Sequence, residues 1–141
     1  MHSAILKNYD DADVVIMAAA VSDYRPVNFS KKKIKKDNKE INIKFEKTTD
    51  ILKELGSKKR HQFLIGFALE NDNEIQNAKN KLKNKNLDLI VLNSLNDQGA
   101  GFGYDTNKVS IIARSGEITA YDLKDKSEVA TDIFEHIIKS I

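Results

Sequence analysis

Apolar residues fall into three continuous runs of strand length, at 13–20, 62–69 and 87–93. Runs that are apolar on both faces are typical of parallel strands in an α/β sheet, because helices cover both faces of such a sheet. The first run therefore predicts a central strand. Stretches with helical periodicity separate the runs, at 48–55 and 71–86. This alternation predicts crossover helices and a mostly parallel sheet.

The two predicted helices have recognisable ends. Residues 48–50, Thr-Thr-Asp, suit a helix N-terminus, and Gly56 is placed to end that helix. Residues 71–74, Asn-Asp-Asn-Glu, give a second start signal, for a helix through about Asn86. The inner stripe of this second helix is predicted to be Ile75, Ala78 and Leu82.

The last third of the chain predicts an antiparallel edge followed by a helix. Residues 109–113 alternate, Ser115 and Gly116 form a turn signal, and 118–121 supply the returning strand. Asp125 and Glu128 have the spacing of a capping box. The final helix is predicted to be amphipathic, with apolar positions Ala130, Ile133, Phe134, Ile137, Ile138 and Ile141.

Two segments fit this alternation less simply. Residues 21–32 predict a long loop, and 39–46 alternate as in a half-buried strand or flap, with Ile41, Ile43 and Phe45 on one side. The chain also opens in a helix-like stretch, at 2–13, whereas an α/β fold more often begins with a strand. Either the domain is entered midway or a short helix caps the sheet. We expect one α/β domain over 1–141.

Composition narrows the function classes. The 141 residues are 40% hydrophobic and 31% charged, with a formal net charge of +2 and no cysteine. The absence of cysteine excludes disulfides, thiolate zinc sites and a cysteine nucleophile. No apolar run reaches the roughly 18 residues of a membrane span. We therefore expect a cytoplasmic protein that acts without a membrane.

The residues themselves indicate an anion-binding site. The first apolar run ends in small residues and turns charged at Asp23, and ligands of open α/β sheets bind outside the carboxyl ends of strands. The basic run KKKIKK follows at residues 31–36. It is interpreted either as a mobile loop that brings a lysine to a phosphate, or as a solvated turn, or as a nucleic-acid-binding patch. The last interpretation is disfavoured because the run has no interleaved aromatic residues for base stacking. Lys81 and Lys85 lie four residues apart, so they project from one helix face, either towards a phosphate or into solvent.

Other chemistries receive little support. Tyr104 and Lys108 have the YxxxK spacing of short-chain dehydrogenases, but preceding glycines and following alternation place them in a loop and a strand. The histidines, His2, His61 and His136, share no segment, so neither a metal site nor a catalytic triad is indicated. Neither GxGxxG nor GxxxxGK[ST] occurs.

Six segments, in order, resemble phosphopantothenate–cysteine ligases, and together they cover nearly the whole chain. They are AAAVSDYRP (18–26), KIKK (33–36), KTTDIL (47–52), LIGFALE (64–70), AKNKLKNKNLDLIVLN (78–93) and GFGYDTN (101–107). The resemblance implies a Rossmann-like three-layer fold, a homodimer and a two-step reaction of coenzyme A synthesis. CTP, with magnesium carried by the nucleotide, activates the carboxylate of 4′-phosphopantothenate as an acyl-cytidylate. The amine of cysteine then forms the amide.

The resemblance also implies roles for individual residues. Lys33 would be catalytic, on a flap that acts on the acyl-cytidylate, and Asp23 would contact the nucleotide. Ala19 and Ala20 would let substrate lie against the strand end. The remaining nucleotide-binding positions would be Thr49, Asp50, Ile51, Leu52, Phe67, Lys81 and Lys85.

The chain departs from the family in two ways. Thr49 stands where the family usually has proline, and the family's N-terminal strands, with an asparagine that takes part in catalysis, have no counterpart in this sequence. We therefore expect the 141 residues alone to be poorly active, and we expect no flavin. Alternatives are a non-catalytic nucleotide-binding domain that needs a partner chain, a short-chain-reductase-like NAD(P) domain, and a nucleic-acid-binding module.

Overall fold

The structure is a computed structural model that describes residues 1–30, 32–34, 40–97, 99–100 and 103–141. The chain forms two compact units. We call Met1–Ala18 with Ile51–Ile141 the sheet unit, and Ala19–Asp50 the ribbon unit. The predicted single domain over 1–141 stays a prediction. Among the described helices, none is long and apolar enough to cross a membrane.

The described elements alternate between helix and strand along most of the chain. In order they are α1 (His2–Asn8), β1 (Val14–Met17), β2 (Tyr24–Pro26), β3 (Phe45–Lys47), α2 (Ile51–Lys58), β4 (Phe63–Glu70), α3 (Glu74–Asn84), β5 (Leu89–Ser94), β6 (Thr106–Asn107), β7 (Val109–Ala113), β8 (Ile118–Ala120), β9 (Lys124–Asp125) and α4 (Lys126–Ser140).

A five-stranded sheet in the order β1-β4-β5-β7-β8 organises the sheet unit. β1, β4 and β5 are parallel, with Ile16 opposite Ile65 and Ile65 opposite Leu89. β7 and β8 then join antiparallel, which confirms the predicted antiparallel edge. The prediction of a central first strand was wrong for the described sheet, because β1 lies at its edge and is half-buried along its length. Apolarity on both faces does not distinguish an edge strand from a central one.

The sheet has helices on both faces, so the predicted three-layer Rossmann-like fold is confirmed. On one face α1, α2 and α3 pack around a core that includes Leu55, Leu64 and Ile90. The Tyr9 hydroxyl, which follows α1, donates a hydrogen bond to the Leu55 carbonyl at 2.9 Å. On the other face α4 packs over Ile65, Val91 and neighbouring apolar residues.

Gly56 does not end α2 as predicted but lies inside it. A Cβ atom at Gly56 would stand 1.8 Å from the backbone oxygen of Lys85. The Gly56 carbonyl also accepts a hydrogen bond from Asn86 Nδ2 at 2.8 Å. The glycine is therefore required because α2 approaches the end of α3 closely, a contact between distant residues that local sequence does not reveal.

Two predicted helix stripes were partly wrong. In α3 Ala78 and Leu82 are buried, but Ile75 is 48% exposed in the first turn. In α4 the buried stripe is Val129, Ile133 and Ile137. The other apolar positions predicted for this stripe, Ala130, Phe134, Ile138 and Ile141, are exposed. Their spacing also fits a helical face, so periodicity alone does not decide which of two adjacent stripes meets the sheet.

The ribbon unit is built around the antiparallel pair of β2 and β3. Its cross-strand contacts include an ion pair from Arg25 Nε to Glu46 Oε1 at 2.8 Å. The prediction of a loop throughout 21–32 was wrong at Tyr24–Pro26, which forms β2. The predicted half-buried side of 39–46 was also wrong, because Ile41, Ile43 and Phe45 are exposed. Among the described residues 40–46 of the predicted strand or flap, only the last part is regular, within Phe45–Lys47, and Lys39 lies outside the described residues.

Candidate functional site at the carboxyl ends of the parallel strands

Glu70, at the carboxyl end of β4, contacts two residues of α3. Its Oε1 accepts a hydrogen bond from the Lys81 ammonium at 2.6 Å, and its Oε2 accepts one from Asn77 Nδ2 at 3.3 Å. Asn77 also donates to the Asp72 carbonyl at 3.0 Å. These bonds hold a cationic group beside the strand end, where ligands of open α/β sheets bind.

The carboxyl end of β5 carries a second polar cluster. Ser94 donates a hydrogen bond to Glu74, the first residue of α3. Asn96 Nδ2 donates to Glu74 Oε1 at 2.9 Å and to the Asn71 carbonyl at 2.8 Å. The start of α3 is thus tied to the end of β5, and Lys81 projects from a fixed helix.

The two lysines predicted to share a helix face occupy different backbone positions. Lys81 lies within the last turn of α3, whereas Lys85 is its C-cap residue, with φ −106° and ψ 9°. The Lys85 amide donates to the Lys81 carbonyl at 3.0 Å. Both side chains are half-buried, so neither is a fully solvated surface lysine.

The apolar residues assigned to the nucleotide lie on opposite faces of the sheet. Phe67, on β4, is half-buried against the core beneath α4. Ile51 and Leu52 start α2 and pack into the core of the other face. Because Ile51 is only 7% exposed, it offers little surface to a ligand. The structure therefore does not bring the Phe67 side chain together with those of Ile51 and Leu52.

The remaining predicted residues lie in the ribbon unit. The backbone carbonyl of Asp23 accepts a hydrogen bond from the Thr48 amide at 2.9 Å, and Thr48 Oγ1 donates to the Ser22 carbonyl at 2.6 Å. These bonds place Asp23 next to the segment that contains Thr49 and Asp50. The side chains of Ala19, Ala20, Asp23, Lys33, Thr49 and Asp50 are all exposed. Lys31, Lys35 and Lys36 lie outside the described residues.

Residues considered for other chemistries are dispersed or paired elsewhere. Lys108 lies between β6 and β7 and donates to Asp97 Oδ1 at 2.8 Å, a bond that raises the pKa of Lys108. Tyr104 precedes β6, so the prediction that the YxxxK pair does not share a helix face is confirmed, although Lys108 lies just before the strand predicted to contain it. Within the described ranges, no three His, Asp or Glu side chains are grouped as a metal site would require.

Sequence reasoning missed Glu70, Asn77 and Glu74 as candidate site residues. Glu70 had a recognisable signal, since it follows a buried apolar run and stands at the strand end where ligands bind. Its pairing with Lys81 could not be read from the sequence, because it depends on how α3 packs against β4.

A family model described as the DNA/pantothenate metabolism flavoprotein C-terminal domain matches residues 1–141. This chain belongs to that family. The family resemblance drawn from the six segments is thereby confirmed, since the match falls on the ligase portion of CoaBC proteins.

Curated relatives of the flavoprotein C-terminal domain family align over almost the entire chain. The bifunctional coenzyme A biosynthesis protein CoaBC of Bacillus subtilis is 42% identical over 137 residues, which are 97% of this chain and 34% of that protein. CoaBC of Borreliella burgdorferi is 41% identical over 138 residues, which are 96% of this chain and 34% of that protein. A cysteine/cysteine sulfinic acid decarboxylase from an unknown prokaryote is 51% identical over 139 residues, with 98% and 39% covered. The chain thus spans between a third and two-fifths of these relatives.

Solved structures share the fold. The crystal structure of the C-terminal domain of CoaBC superposes with a TM-score of 0.76 at 40% identity, covering 98% of this chain and 61% of that one. A mutant of Cab2 in complex with phosphopantothenate-cysteine has a TM-score of 0.69 at 15% identity, covering 97% and 49%. The second likeness concerns the fold alone.

Proposed function

We propose that this chain is the CTP-binding part of a phosphopantothenate–cysteine ligase in coenzyme A biosynthesis. The carboxylate of 4′-phosphopantothenate attacks the α-phosphorus of CTP and pyrophosphate leaves. The amine of cysteine then attacks the acyl carbon, the amide forms and CMP leaves. Family membership and the 41–42% identity to two CoaBC proteins support this reaction.

The observation that carries the proposal is the ammonium of Lys81 at the carboxyl end of β4, 2.6 Å from Glu70. Charge accumulates on phosphate as the acyl-cytidylate forms and breaks down, and preorganised cations stabilise such charge. In the sheet unit, Lys81 and Lys85 would bind phosphate or the cytosine, Phe67 would flank the base or sugar, and the backbone of 51–52 would line the cytidine pocket.

The ribbon unit would supply the other groups. Asp23 and the Thr49–Asp50 segment would contact the nucleotide, and Ala19 and Ala20 would let substrate approach the backbone. Lys33 would act on the acyl-cytidylate, and its exposed position within the described residues 32–34, which form neither helix nor strand, suits a group that moves onto its substrate.

The proposal extends to the cation, the assembly and the compartment. Magnesium would enter with the triphosphate and the enzyme would act in the cytoplasm. A homodimer is supported by the exposed apolar side chains of the ribbon unit, among them Phe29 at 83%, Ile34, Ile41 and Ile43. A two-stranded ribbon is marginally stable alone, and a partner surface would bury these side chains.

A thermal titration tests the nucleotide assignment. It uses the full-length protein, by which we mean the natural gene product that contains these 141 residues. CTP with Mg²⁺ should raise the melting temperature more than ATP, NADH or an oligonucleotide does. Lys81→Gln should reduce the CTP shift, whereas Lys83→Gln, an exposed lysine in the same helical turn, should leave it unchanged. Equal shifts with CTP and ATP, or none with CTP, would refute the assignment.

The alternative of a non-catalytic nucleotide-binding domain predicts the same CTP shift without turnover. An NAD(P)-binding reductase predicts a larger shift with NADH. Amide formation, measured together with nucleotide binding, therefore separates the three functions.

A further inference from the structure

Glu70 is a mostly buried partner of Lys81, one of the two lysines assigned to the nucleotide. Its side chain is 11% exposed, while that of Lys81 is 44% exposed. Lys81 bonds to one carboxylate oxygen and Asn77 to the other. Since Asn77 and Lys81 are one helical turn apart, a single carboxylate fixes both side chains on the face of α3 that meets β4.

The backbone around Glu70 is held as well. Its carbonyl accepts a hydrogen bond from the Leu95 amide at 2.8 Å, which joins the ends of β4 and β5. Glu74 bonds to Ser94 and Asn96, which fixes the start of α3. Hydrogen bonds within the chain therefore hold the Glu70 carboxylate and the helix that carries Lys81 in a defined relation.

An ammonium has three N–H donors, so its bond to Glu70 leaves two for an anion. An unpaired lysine would lose conformational entropy of its long side chain when it binds a phosphate. Because the bond to Glu70 already restricts this side chain, binding costs less conformational entropy. The negative charge of Glu70 opposes anion binding. However, the carboxylate lies deeper than the ammonium, so an anion arriving from solvent meets the ammonium first.

We propose that Glu70 is a positioning residue that holds the Lys81 ammonium for the nucleotide phosphates or cytosine. This inference rests on the proposed function, in which Lys81 contacts CTP. Glu70 acts only through Lys81 and touches no reacting atom.

A double-mutant cycle in the full-length protein tests this role, with the CTP dissociation constant measured by calorimetry in the presence of Mg²⁺. Glu70→Ala should raise the Kd about threefold to fivefold, the range expected for loss of one partly exposed ion pair. The same change should have no effect in a Lys81→Met background.

Asp132→Ala is a matched control. The pair between Lys124 on β9 and Asp132 on α4 has an Nζ–Oδ2 distance of 2.7 Å and side-chain exposures of 36% and 19%, close to those of the Lys81–Glu70 pair. Its removal should lower thermal stability and leave the CTP Kd unchanged. Glu70→Gln, which keeps one acceptor oxygen for Lys81, should give a smaller loss than Glu70→Ala and serves if the alanine variant does not fold.

Three results would overturn the inference alone, provided that wild-type protein binds CTP. They are an unchanged Kd in both Glu70 variants, tighter binding in either, or an equal loss with and without Lys81. A wild-type protein that fails to bind CTP would overturn both the proposed function and the role of Glu70.

Discussion

Lys81 is paired with Glu70 at the carboxyl end of β4, and this pairing decides how its charge can act. A lysine bonded to a mostly buried carboxylate keeps a fixed direction and still has donors for a ligand. The sequence indicated Lys81 through its spacing to Lys85, and it indicated the strand end through apolarity. It could not indicate the bond to Glu70, which joins residues eleven positions apart in two different elements.

Lys33 should affect turnover far more than nucleotide binding. Lys33→Gln in the full-length protein removes the charge assigned to the acyl-cytidylate step, so we expect turnover to fall by about a hundredfold or more, as for removal of one transition-state donor. The CTP Kd should change little. Steady-state rates and calorimetry measure the two quantities.

Lys32→Gln is the control for the Lys33 variant, because Lys32 is an exposed neighbour in the same segment. It should retain near-wild-type turnover. Equal losses in the two variants would mean that general positive charge, rather than Lys33, is required.

At the scale of elements, the approach of α2 to the end of α3 depends on Gly56. Gly56→Ala would place a methyl group 1.8 Å from the Lys85 carbonyl oxygen, which is backbone and cannot rotate away. We expect a loss of about 1–3 kcal/mol in the free energy of unfolding, as for other overpacked sites.

Urea denaturation would measure that loss. Ser57→Ala, an exposed position in the same helix, should change stability by no more than about 0.5 kcal/mol. A Gly56→Ala variant as stable as wild type would contradict the close approach of the two helices.

The orientation of α4 gives a second prediction at this scale. Ile133 is buried against the sheet and Phe134 is 56% exposed. Ile133→Ala should therefore cost about 2–5 kcal/mol of unfolding free energy. Phe134→Ala should cost about 0.5 kcal/mol or less, as at other surface positions. Chemical denaturation of both variants shows which of the two adjacent apolar stripes of α4 packs against the sheet. A larger loss of unfolding free energy for Phe134→Ala than for Ile133→Ala would contradict the orientation of α4 described above.

Element types were more predictable than the contacts between elements. β4 was predicted at 62–69 and is found at Phe63–Glu70, because a long apolar run between turn residues has few other interpretations. The capping box at the start of α4 is confirmed for the same local reason. The predictions were wrong for Ile75 and Phe134, which are exposed, and for Gly56, which lies inside a helix. The environment of each of these residues depends on a neighbour distant in sequence.

At the scale of the whole molecule, the chain divides into a sheet unit and a ribbon unit. The apolar alternation in 39–46 predicted a half-buried strand, but alternation does not show what would cover it. The sequence likewise does not show which candidate site residues act together. Lys81 and Lys85 lie in the sheet unit, and Asp23 and Lys33 lie in the ribbon unit. Sequence segments were enough to indicate the individual candidate residues. That these residues act together in one reaction is what we propose.

The most direct test of the ligase assignment is product formation by the full-length protein. Incubation with 4′-phosphopantothenate, cysteine, CTP and Mg²⁺ should yield phosphopantothenoylcysteine, with one CMP and one pyrophosphate released per amide, as followed by mass spectrometry. The 141 residues alone should give little or no product. CTP binding without amide formation by the full-length protein, or amide formation that needs no nucleotide, would contradict the CTP-dependent ligase.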